Sequence, residues 1–161
     1  MRIGLISDTH IPDDAKELPR QIKEVFRDVD LILHAGDVHA VSVLDELECL
    51  APVLAASGDN DVEVLSDKRV KKKHMFTVDG INIWLTHERR WVWDQSDWDV
   101  CRPNVIVVGH THKPKLEYQK EGYLLVNPGS PTFPNYRHEL GTLALLTTNS
   151  GKIKANIIQL K

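Results

Sequence analysis

Apolar residues run through this chain in short blocks, and the blocks end in carboxylates, amides or imidazoles. Ile3 to Ile6 leads into Ser7-Asp8-Thr9-His10, and Val29 to Leu33 into His34-Ala35-Gly36-Asp37. Val53 to Ala56 leads into Ser57-Gly58-Asp59-Asn60-Asp61, and Val105 to Val108 into Gly109-His110-Thr111-His112. Such short apolar runs, rich in Val and Ile, predict buried strands. Leu18, Ile22, Val25 and Phe26 recur at helical spacing, as do Val41, Leu44 and Leu47 ahead of Pro52, so two amphipathic helices are predicted. Pro12-Asp13-Asp14 reads as the turn that opens the first. Met75 to Val78, Asp79-Gly80 and Ile81 to Leu85 predict a hairpin whose second strand ends in Thr86-His87. Leu116 to Tyr118 with Tyr123 to Val126, and Leu143 to Thr147 with Ile153 to Ile158, predict two more. No repeat, low-complexity tract or linker interrupts the 161 residues, so a single domain spanning 1–161 is expected.

Composition narrows the partners. Apolar residues make up 42% and charged residues 27%, ordinary for a globular protein. A formal charge of −3 provides no general attraction to nucleic acid or anionic membranes. The basic run Lys68 to Lys73 is expected to be a solvated face or a charged edge strand, not a phosphate-binding surface. Cys49 and Cys101 make no disulfide framework and read as small buried hydrophobes in a reducing compartment. No segment resembles a signal peptide or could span a bilayer, so a cytoplasmic protein is expected. Trp91, Trp93 and Trp98 follow His87 and could wall a substrate pocket, form a homo-oligomer contact, or simply pack.

The chemistry lies in what ends the strands. In an extended chain alternate side chains point the same way, so Asp8 with His10, and His110 with His112, can each meet at one point. Ligand-binding residues gather at the carboxyl ends of strands in α/β sheets. Asp8, His10, Asp37, Asp59 or Asn60, His87, His110 and His112 all stand there. Carboxylate and imidazole without thiolate suit Mn, Fe, Co, Ni or Zn. These ligands are too many for one ordinary zinc site and suit two metals sharing a carboxylate. That layout activates water and clamps the oxygens of an in-line displacement at phosphorus.

Asp8-x-His10, Gly36-Asp37, Gly58-Asp59-Asn60-Asp61, His87 and Gly109-His110-x-His112 occur in the order of the calcineurin-like metallophosphoesterase motifs, and the chain resembles that family over nearly its whole length. Its size and the Asn127-Pro128-Gly129-Ser130 turn resemble the small prokaryotic phosphodiesterase branch. The resemblance implies a four-layer αββα sandwich of two mixed sheets flanked by helices, with two divalent metals at one edge. It implies that Asp8, His10 and His112 hold the first metal, that His87 and His110 hold the second, and that Asp37 bridges them. It also implies that Asn60, Asp37 and His110 carry the reaction on a small phosphodiester substrate, with manganese the metal expected to serve in assay. Two departures stand out. The family's Gly-Asn ligand position holds Asp59 here, so the ligand is either Asp59 or, in a shifted register, Asn60. Where larger relatives carry a general-acid His, this chain has Asn60, an amide that donates a hydrogen bond but no proton near neutral pH. That substitution predicts a preference for esters with good leaving groups. The family also includes a eukaryotic retromer subunit that works as a scaffold, so the rival expectation is a weak or inactive protein that binds a partner.

Overall fold

The computed structural model describes residues 1–11, 17–92 and 95–161; the turn expected at Pro12-Asp13-Asp14 and the side chain of Trp93 lie outside them. One mixed sheet contains β1 (Arg2–Ile6), β2 (Leu31–His34), β3 (Val53–Ala56), β4 (Val70–Lys71), β10 (Thr142–Asn149) and β11 (Lys152–Gln159), ordered β11-β10-β1-β2-β3-β4. The other contains β5 (Lys73–Val78), β6 (Ile81–Thr86), β7 (Val105–Val107), β8 (Lys115–Tyr118) and β9 (Leu124–Asn127), ordered β5-β6-β7-β9-β8. Within the first sheet β1, β2 and β3 are parallel neighbours, and within the second β6, β7 and β9 are. Antiparallel hairpins close three of the four outer positions, and β4 completes the fourth parallel to β3.

The near-continuous apolar runs have a direct cause: these strands are covered on both faces. Ile3, Leu5 and Leu33 point between the sheets and meet Ile83, Leu85, Val105, Val107 and Val126. Ile6, Ile32 and Val53 point the other way, against Ile22 and Phe26 beside α1 (Arg20–Val25) and Leu44 and Leu47 of α2 (Val41–Glu48). On the far side of the second sheet Trp84, Ile106, Tyr123 and Leu125 pack with Trp98 of α3 (Gln95–Val100). The result is helix, sheet, sheet, helix, as the family resemblance implies. Each large side chain buried this way stabilises the fold by roughly 1.5–3 kcal/mol.

Three expectations shift. The second strand starts at Leu31, because the Val29 N–H is turned back onto the Phe26 carbonyl at 3.3 Å. The basic run does supply an edge strand, β4, but Arg69 within it is buried against Asp45, Glu48 and Asp67. Cys49 is exposed rather than buried, since it caps α2 on its outer side, and Cys101 is half-buried. Among the described residues no helix is long and apolar enough to cross a membrane.

Candidate metal centre

At the carboxyl ends of β1, β2 and β7 the chain coils sharply. Asp8 (φ 53°), His10 (46°), Asp37 (53°), His39 (75°), His110 (69°) and His112 (57°) all adopt the left-handed region. A side chain disfavours this conformation by about 1 kcal/mol or more per residue, and such strain collects at functional sites. Cross-loop hydrogen bonds hold it here. The Asp8 N–H donates to the Gly36 carbonyl at 2.9 Å, and the His110 N–H donates to both Asp8 carboxylate oxygens at 3.0 and 3.1 Å.

The side chains gather into two adjoining groups, Asp8, His10, Asp37 and His112 in one and Asp59, His87 and His110 in the other, with ligand atoms in each within 4.8 Å of one another. Asp8 and His10 fall in one group although both residues are left-handed and not extended. His110 and His112, also left-handed, fall in different groups, so alternation along an extended chain describes neither pair. Asp37 sits at the junction, its Oδ2 lying 3.5 Å from His10 Nε2 and 3.6 Å from His87 Nε2. His110 Nδ1 lies 3.2 Å from Asp59 Oδ2, which puts the Asp59 carboxylate in the second group.

Whether a cation fits can be tested on the protons. His87 Nδ1 lies 2.7 Å from the Ala35 carbonyl, so it carries the hydrogen and donates it there. That leaves His87 Nε2, buried and without a hydrogen-bond partner, as the ring nitrogen facing the Asp37 carboxylate. His112 Nδ1 likewise donates to the Phe133 carbonyl at 2.8 Å, leaving its Nε2 3.6 Å from Asp8 Oδ1 and 3.1 Å from His10 Nε2. When these rings are neutral their lone pairs face carboxylates and repel them, and a cation between them converts the repulsion into coordination. Burial pushes the Asp8 carboxyl up to about 6, outweighing the pull of His87 and His112. Burial also pushes His10 down to about 4. Both shifts express the cost of enclosing charge that has no counter-ion. The residues therefore fit divalent metal.

A family model for the calcineurin-like phosphoesterase superfamily domain matches residues 1–151. The chain belongs to this superfamily. A probable metallophosphoesterase of Methanothermobacter thermautotrophicus is 37% identical, over 99% of this chain and 92% of that protein. A phosphodiesterase of Methanocaldococcus jannaschii is 26% identical, over 99% of this chain and all of that one. Among solved structures, one described as a novel archaeal phosphodiesterase superposes with a TM-score of 0.74 at 26% identity, over 98% of this chain and 100% of that one. Vps29 of Entamoeba histolytica, complexed with zinc, has the same fold, with a TM-score of 0.73 at 19% identity over 99% of both chains.

Around the ligand groups this phosphoesterase has a rigid frame. Asp61, buried, accepts the backbone N–H groups of Asp37, Val38, His39 and Gly58 at 2.9, 2.7, 2.9 and 2.6 Å. Asn60 donates to Asp37 twice, from its backbone at 3.0 Å and its amide at 3.1 Å. Burial raises the Asp37 carboxyl, but His87, these Asn60 donors and His10 outweigh it and hold the group below the ordinary range. Two glycines are required by close approach. A Cβ at Gly58 would lie 2.2 Å from Asp37 N and Oδ1, and one at Gly109 would lie 1.9 Å from Ser7 Oγ and 2.8 Å from Asp8 Oδ2. In the Asn127-to-Ser130 turn, the Asn127 amide donates to the Gly109 carbonyl at 2.8 Å and Ser130 Oγ donates to the Asp8 carbonyl at 2.7 Å. This turn fastens the first and last motifs together.

Asp61 and His39 are participants that the strand-end pattern does not reveal. In Gly58-Asp59-Asn60-Asp61 nothing local tells a carboxylate facing a metal from one facing backbone donors. His39 Nε2 lies 3.0 Å from His10 Nδ1 and orients that ring. Of the tryptophans, Trp98 packs edge-on to Trp84 and Tyr123, and Trp91 lies under Lys72.

His34, fully buried at the end of β2, accepts the Gly36 N–H at Nδ1. Its Nε2–H therefore donates to Thr9 Oγ1 at 3.1 Å. Burial pushes its pKa from 6.5 down to about 3, so the folded protein keeps it neutral while the unfolded chain protonates it. Its contribution to stability is complete above pH 6.5 and is lost as pH falls toward 3. In metal-free protein the stability of wild type is expected to fall about 1 kcal/mol per pH unit more steeply below pH 6.5 than that of His34→Gln. Urea unfolding across pH 4.5–6.5 checks this, and parallel slopes would count against a buried neutral imidazole.

Proposed function

We propose that this phosphoesterase hydrolyses phosphodiesters at a dinuclear divalent-metal site. Asp8, His10 and His112 would hold one cation, Asp59, His87 and His110 the other, and Asp37 both. The observation that carries this reading is the position of Asp37 Oδ2 between His10 and His87, at the junction of two ligand groups. Bound there, a pair of divalent cations (manganese is our first choice, with Ni, Fe, Co or Zn able to use the same donors) supplies Lewis acidity and neutralises the charge developing on phosphoryl oxygens. Asn60 holds Asp37 in place through two hydrogen bonds, and its remaining amide hydrogen is available to a phosphate oxygen. The His110 side chain, 49% exposed, marks the side from which substrate arrives.

No proton donor stands at position 60, so esters whose departing oxygen is already a stable anion are favoured. Aryl diesters are expected to be cleaved roughly a hundredfold faster, in kcat/KM, than alkyl phosphomonoesters. Bis(p-nitrophenyl) phosphate with added Mn²⁺ or Ni²⁺ tests both the activity and the preference, and faster turnover of the monoesters would refute the leaving-group argument. The likeness to Vps29 in fold keeps a second reading, a partner-binding scaffold. Bound metal without hydrolysis of any diester would support the scaffold instead.

A further inference from the structure

Beside His110 the outer face of the second sheet opens into a cavity of about 450 Å³. That volume lies within the range of small-molecule pockets, roughly 300–1,000 Å³. Val108, Leu125 and Pro114 supply its apolar wall, and Gly109, His110 and Thr111 join it to the candidate metal centre. Its charged lining carries four cations and one carboxylate, and two of the cations, Arg90 and Lys115, are ion-paired, which leaves Arg89 and Lys113, among the described residues, to face the cavity without a carboxylate of their own. Arg89, Arg90, Lys113 and Lys115 surround it, and the single acidic residue, Glu88, is paired with Arg90. Arg89 is steadied by the Gln119 side-chain carbonyl at 2.8 Å and Lys115 by Glu117 at 2.7 Å.

Cations outnumber carboxylates along this lining although the chain as a whole carries a formal charge of −3. The excess is placed where it matters. Asp59 adds a negative charge beside His110, which by itself would repel an anionic substrate. A low-dielectric wall with positive groups around it focuses the opposite potential at the same mouth. An apolar wall selects a ring and the flanking cations select a second anion.

We propose that the cavity receives one arm of the diester, and that this arm is an apolar ring carrying a further anionic group, as in esters built from aryl or nucleoside phosphates. The proposal rests on the diesterase reading above and adds the substrate class. It makes Arg89 and Lys113 determinants of specificity, acting on the arm and not on the reacting phosphorus.

A matched pair of substrates tests it: p-nitrophenyl phenyl phosphate, and the same diester with a carboxylate at the para position of the phenyl ring. Both release p-nitrophenolate. With metal added, wild type is expected to prefer the carboxylate diester by roughly tenfold in kcat/KM, and Arg89→Glu and Lys113→Glu are each expected to abolish or invert the preference. Lys154→Ala, on β11 of the other sheet and outside the cavity lining, is expected to leave it intact. The second readout needs no turnover. Titrating metal-free protein with each diester should shift the amide resonances of Thr111, Lys113 and Leu125, more strongly for the charged one. Hydrolysis without charge preference and without these shifts would overturn the cavity assignment and leave the diesterase reading standing. The shifts without hydrolysis under any metal would retain the cavity as a binding site and refute the diesterase reading.

Discussion

Alanine at position 37 is expected to lower hydrolysis of bis(p-nitrophenyl) phosphate by about a thousandfold and to reduce the metal retained after gel filtration. The reason is positional. Other ligands belong to one group, whereas Asp37 Oδ2 is within 3.6 Å of imidazole nitrogens in both. Its removal weakens both cation positions together and leaves the two Asn60 donors without their acceptor. Asp37→Asn separates charge from shape: it keeps the outline of the side chain and should lose nearly as much activity. Metal content by mass spectrometry and kcat/KM for the aryl diester provide the readouts. Wild-type turnover in Asp37→Ala would remove the basis of the dinuclear proposal.

The largest loss of stability is expected from Asp61→Ala, at about 4 kcal/mol by urea unfolding. The side chain is 1% exposed and satisfies four backbone N–H groups at once. Each buried donor left unpaired costs about 1–3 kcal/mol, and the four share one pocket, so the total falls short of their sum. Three of these donors belong to the loop carrying Asp37 and the fourth, Gly58, to the loop carrying Asp59. The carboxylate therefore sets the distance between the loops, and the same variant should bind metal more weakly. Asp61→Asn keeps one acceptor oxygen and should lose less. A loss below about 1 kcal/mol for the alanine variant would mean that water replaces the carboxylate, and would demote Asp61 from its organising role.

Much of the fold is legible along the chain because burial leaves a local trace. Strands covered on both faces read as unbroken apolar runs, and Asp79-Gly80 marks its hairpin, since the turn needs residues that tolerate positive φ. The boundaries are less legible. Val29 is as apolar as the residues of β2, but its N–H is bonded to the Phe26 carbonyl of the preceding turn and not to a neighbouring strand. Arg69 has the sequence neighbourhood of a solvated lysine-rich face, yet two carboxylates of α2, Asp45 and Glu48, join its near neighbour Asp67 in drawing it inward.

The candidate site divides along the same line. By itself the sequence determines which chemical groups end each strand, the order in which they come, and the superfamily those motifs signal, because each motif is a local event: an apolar run, a glycine or tight turn, a ligand-type side chain. Only the tertiary structure decides what each group touches. It turns Asp59 toward His110 and Asp61 toward backbone donors, and places Asn60 on Asp37. It also surrounds a cavity beside His110 with cations drawn from separate segments. Those decisions rest on left-handed turns and on the order of strands in two facing sheets, which bring Asp8 within hydrogen-bonding distance of the His110 backbone. Contacts between residues so far apart in the chain follow from the packing of whole layers, and a local pattern of polar and apolar residues carries no record of them.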